Sequence, residues 1–75
     1  MSNDPVQARR LRPAEYMLPA DTVVEVGLRF AFQGAVYEVI SEPRKWGIMW
    51  RARVRQVEGF RPGMEFQALL GVGLP

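Results

Sequence analysis

From Thr22 to Leu70 apolar and polar residues alternate with a period close to two, the pattern of strands that bury one face and wet the other. The clearest stretch runs from Leu28 to Val39 around Gln33-Gly34. That dipeptide suits a two-residue hairpin connection, because a primed turn needs φ > 0 and Gly34 supplies it at no steric cost. Closing the turn there sets Phe32 opposite Ala35, Phe30 opposite Tyr37 and Leu28 opposite Val39, all on one face. The other face receives Ala31 opposite Val36 and Arg29 opposite Glu38, a cross-strand pair of opposite charge. A slip of one residue would bury the charges and expose the rings, so pattern and turn specify one register.

The same alternation predicts the remaining strands. Thr22 to Phe32 reads as one long first strand with Val24, Val26, Leu28, Phe30 and Phe32 inward and Gly27 marking a bend. Ala35 to Ser41 is the second, followed by a loop over 42–47 bracketed by Pro43 and Gly47. Ile48 to Val57 is the third, with Ile48, Trp50, Ala52 and Val54 inward and Met49, Arg51, Arg53 and Arg55 outward. Facing one core then pairs Val39 with Trp50 and Tyr37 with Ala52, which sets Glu38 between Arg29 and Arg51 and leaves Arg53 beside Val36. Pro62-Gly63 suits a type II turn. Met64 to Leu70 is the fourth strand, with Met64, Phe66, Ala68 and Leu70 inward, Leu69 beside Arg53 and Gln67 beside Arg55. Residues 71–75 read as a tail or a short closing strand.

Residues 1–20 show too few apolar positions at helical spacing for an independent helix. Asp4 as N-cap and Pro5 after it would start a helical turn that Pro13 limits. This segment is expected to be a loosely ordered arm, with Tyr16, Met17 and Leu18 docking on a barrel formed by residues 21–75. The fold class is therefore all-β, a small antiparallel barrel of four to five strands. In strand count and loop lengths it resembles SH3-like barrels. An open meander that completes its core by dimerising is the competing architecture.

Composition narrows the chemistry. Seventy-five residues make one small domain, whose core leaves roughly 3–5 kcal/mol of net stability. Without Cys or His there is no thiolate, no imidazole base and none of the usual zinc ligands. Ser2, Ser41 and Thr22 lie in no nucleophile context, the carboxylates fall singly, and there is no glycine-rich phosphate loop. A non-enzymatic protein with no cofactor and no metal is expected. No run of eighteen apolar residues and no secretory leader is present, and the absence of Cys suits a reducing compartment, so a cytoplasmic location is expected.

The net charge is only +2, but nine of the ten basic residues are arginine. This follows equally from a GC-rich genome or from a need for guanidinium chemistry. Arg51, Arg53 and Arg55 stand on one strand face about 6.6 Å apart, and neighbouring charges at that spacing repel by about 0.6 kcal/mol in water. With Arg44, Lys45 and Trp46 in the preceding loop and Phe60 as a second loop aromatic, they form the candidate binding site, to which Arg9, Arg10 and Arg12 would add a basic arm. Guanidinium groups for phosphates and an indole for stacking suit nucleic acid. An acidic protein surface is the alternative partner. On that reading the chain is an adaptor or regulator docking on a larger bacterial or phage complex, or a self-assembling structural subunit. A row of charges is also how an outer strand face stays solvated and guards its edge.

Overall fold

The Leu28–Val39 hairpin forms in the predicted register. A computed structural model, which describes residues 4–74, pairs β4 (Arg29–Phe32) with β5 (Ala35–Val39) through Arg29–Glu38, Phe30–Tyr37, Ala31–Val36 and Phe32–Ala35. The Val39 amide donates to the Leu28 carbonyl. Gln33 and Gly34 both have positive φ, 49° and 78°, the signature of a type I′ turn.

The protein is an all-β, nearly closed barrel of eight strands rather than four or five. Its antiparallel part runs from β4 through β5 and β7 (Met49–Glu58) to β8 (Glu65–Leu74). The β7–β8 connection holds the expected turn, with Pro62-Gly63 in its centre, Gly63 at φ 91° and the Met64 amide donating to the Arg61 carbonyl.

The N-terminal segment is not a loose arm or a helical turn. Residues 4–20 carry β1 (Val6–Gln7), β2 (Arg9–Arg12) and β3 (Glu15–Pro19). β2 and β3 form a hairpin across Pro13-Ala14, β3 runs parallel to β8, and β1 runs parallel to β4. The segment therefore bridges the two ends of the antiparallel sheet, and residues 21–75 do not make the barrel alone. Tyr16 and Leu18 follow the period-two rule and are buried. The run is only five residues long, and it gains its value from β8, some fifty positions away.

The core joins Phe30, Val39, Ala52, Val54, Ala68 and Leu70 to Tyr16 and Leu18. Tyr16 is its aromatic hub, with ring centroids 5.1 Å from Phe30, 5.8 Å from Phe32 and 5.9 Å from Tyr37. Tyr37 continues the cluster to Phe66 at 5.5 Å, edge to face. Burial raises the Tyr16 phenol above its ordinary pKa, and the hydrogen-bonded Tyr37 adds to this while Arg10 opposes it. A raised folded-state value means that the neutral phenol favours folding. The contribution is complete below about pH 10 and is lost as pH rises through the folded-state value. Urea midpoints measured from pH 8 to 11 are expected to fall above about pH 10, and Tyr16→Phe to make that fall shallower. An identical slope in the variant would assign the loss to other groups.

The expected strand from Thr22 to Phe32 is broken. A turn over 25–28, with the Leu28 amide donating to the Glu25 carbonyl and Gly27 at φ 97°, replaces its middle. Val24 and Leu28 still pack on the core, but Val26 lies at the turn and is exposed. The loop expected over 42–47 contains a strand, β6 (Arg44–Trp46), which pairs with the start of β7 through Arg44–Arg51, Lys45–Trp50 and Trp46–Met49. Gly47-Ile48 is its turn, so Ile48 is 90% exposed and not in the core. Met64, also expected inward, lies just before β8 and is exposed.

Candidate functional site

Strand β7 presents Arg51, Arg53 and Arg55 to the outside, between the buried Ala52, Val54 and Gln56. The faces are as expected, but the register against β5 is shifted by four residues. Val39 pairs with Val54 and Tyr37 with Gln56, in place of Trp50 and Ala52. An even shift keeps every side chain on its face and changes every neighbour. The cause is β6, which occupies the first part of β7 and leaves β5 only the second.

The shift redistributes charge along the arginine row. Glu38 stands opposite Arg55 rather than Arg51, and Arg55 also faces Glu65 on β8. With the Arg29–Glu38 ion pair at 2.9 Å, the sheet carries a cross-strand row of alternating sign, Arg29, Glu38, Arg55, Glu65. Arg53 lies opposite Gln67, not Leu69, and its Nε donates to Glu65 Oε1 at 3.3 Å. Exposed pairs of this kind contribute about 1 kcal/mol or less. Their consequence is local: Arg53 and Arg55 have carboxylates for neighbours, contrary to the expectation of uncompensated cations.

Arg44, Lys45 and Arg51, none of which makes an ion pair among the described residues, lie in the β6–β7 hairpin. Arg51 faces Arg44 on one side and Leu69 on the other. Its guanidinium lies over the Trp46 ring, 4.3 Å from the centroid, while Lys45 Nζ lies 4.7 Å from the Trp50 ring. Such cation–π contacts contribute roughly 0.5–1 kcal/mol each at exposed sites. Trp46 is 54% exposed, sitting in a strand and not in a loop. The pairings continue the Arg51 row through Leu69 to Glu15 and Arg12. At a strand spacing of about 4.8 Å, Arg12 is three strands or roughly 14 Å from Arg51.

Two open grooves flank Arg51. One, of about 260 Å³, is bordered by Pro13, Ala14, Glu15, Trp46 and Leu69. The other, of about 350 Å³, is bordered by Ser41, Glu42, Arg44 and Arg53. Arg51 and Gln67 line both. Thus the structure brings Arg44, Trp46, Arg51 and Arg53 together and places Arg55 further along the same strand, while Lys45 stands with Trp50 on the other face of the hairpin. Phe60 does not join them: it is 99% exposed in the β7–β8 turn, at the opposite end of the ten-residue β7 from Trp46.

Glu15, Gln67 and Leu69 were missed as site residues. A signal for the β6 hairpin was present, since Arg44 and Trp46 alternate with Lys45 across Gly47 from Met49 and Arg51. Among the described residues no three His, Cys, Asp or Glu cluster at metal-binding distance, and no helix is long and apolar enough to cross a membrane. No protein-family model, curated protein or solved structure matches the chain.

Proposed function

We propose that this protein is a non-enzymatic binding module that contacts nucleic acid through the outer face of the β6–β7 hairpin and the adjoining part of β7. The observation carrying this reading is the half-exposed Trp46 on one face with Arg44 and Arg51, neither of which has an ion pair among the described residues, and with Arg53 two residues along β7. Guanidinium and ammonium groups neutralise phosphates with release of counterions, and an exposed indole offers a stacking surface.

Fluorescence anisotropy with a labelled oligonucleotide tests it. Three phosphate contacts predict a log–log salt slope of about −2 on a single strand. Arg44→Glu with Arg51→Glu should abolish binding at moderate salt. Arg53→Glu with Arg55→Glu should weaken it less, because those two arginines already face carboxylates. Affinity that is flat with salt would end this reading.

A protein partner is the second reading, favoured by Phe60 and Ile48, which are almost wholly exposed at opposite ends of β7. Aromatic side chains, phenylalanine among them, are enriched at protein interfaces. A pull-down from cognate lysate after nuclease treatment separates the two: loss of Phe60→Ala capture with retained Arg51→Glu capture supports the protein partner.

A further inference from the structure

The two grooves beside Arg51 differ in chemistry in a way that singles out one form of nucleic acid. The smaller is largely apolar, with the Trp46 ring, Leu69 and the Pro13-Ala14 turn on its borders. The larger is polar and cationic, with Arg44, Arg53 and Ser41. Their common wall is Arg51 with Gln67.

Resting on the nucleic-acid reading above, we infer that the pair of grooves is a single-nucleotide subsite for an unpaired strand, taking a base against Trp46 in the apolar groove and its phosphate among Arg44, Arg51 and Arg53. A duplex keeps its bases stacked on each other and offers its backbone and base edges but no free base face, so it can use the cationic groove but cannot stack on the indole in the apolar one. An unpaired base has a free π-face and gains from stacking on the indole whatever its identity. Arg51 lines both grooves, and its guanidinium lies over one face of the indole, so the base is taken on the other. The carboxylates fit this polarity. Glu42 borders the cationic groove and lowers its charge, so phosphate is placed on the Arg44–Arg53 side. Glu15 borders the apolar groove, where a carboxylate accepts from exocyclic amines and so favours cytosine over thymine.

The test uses the full chain and three labelled probes of equal length: a single-stranded oligonucleotide, an abasic strand with the same phosphates, and the duplex. At low salt the single strand should bind at least about tenfold more tightly than the abasic strand, the worth of one stacked base. Trp46→Ala should erase that preference, bringing the single strand to the affinity of the abasic strand, and Trp46→Phe should restore part of the difference. Circular dichroism confirms that both variants fold. Equal affinity for all three probes, with Trp46→Ala silent and Arg44→Glu/Arg51→Glu disruptive, would overturn the base subsite while leaving the nucleic-acid reading intact. Failure of every probe to bind at low salt would remove both.

Discussion

Phe30→Ala should leave much of the population unfolded at 25 °C. Phe30 has no exposed surface, and its ring meets those of Tyr16 at 5.1 Å and Tyr37 at 5.3 Å. Truncating a buried phenylalanine costs about 3–5 kcal/mol through lost transfer energy and the cavity left behind. A chain of this size has a net stability of roughly 3–5 kcal/mol, so one substitution removes most or all of it. Local collapse offers little relief, because Phe30 is held by β-ladders on both sides, to β1 and to β5. The measurement is urea denaturation followed by tryptophan fluorescence and circular dichroism. A cooperative transition with a midpoint close to that of the parent would show that the aromatic cluster is not the stabilising centre.

Removal of residues 1–20 should abolish the fold altogether. β3 covers the edge of β8 and contributes the buried Tyr16 and Leu18, while β1 covers the edge of β4. Their loss opens the barrel, uncovers Phe30 and Leu70, and leaves two strand edges ready to pair with other chains. The truncated protein should show no cooperative thermal transition and should aggregate on size-exclusion chromatography. Leu18→Ala in the full chain grades the effect, with an expected loss of about 2–5 kcal/mol. A residue 21–75 fragment that melts cooperatively near the parent temperature would mean that the N-terminal strands only decorate the barrel.

The Leu28–Val39 hairpin was legible because everything that determines it is local. Two consecutive φ > 0 positions set the turn, and six alternating side chains set the face. The inward and outward sets of β7 and β8 were legible for the same reason, but not the residues just before them. Ile48 and Met64 continue the alternation on paper, but each lies in or beside a turn, where period two no longer places a side chain. The register of β7 was not legible. Shifts of two or four residues satisfy the hydrophobic pattern equally, and only the pairing of β6 with the start of β7 excludes the others.

The candidate site inherited that ambiguity. Arg51, Arg53 and Arg55 were correctly placed on one outer face, yet their neighbours depend on register. Arg53 and Arg55 acquired carboxylates, Arg51 acquired the Trp46 ring, and Phe60 went to the far end of the strand.

The amino-acid sequence alone determined that the chain is all-β, which side chains face inward along its central strands, and where its tightest hairpin turns. Those properties follow from side-chain alternation and turn stereochemistry, both of which act over a few residues. The tertiary structure alone decided that residues 4–20 close the barrel, and which cations are left to meet a partner. Both depend on pairings between segments far apart in the chain, whose alternatives differ only in total burial and closure of the whole sheet.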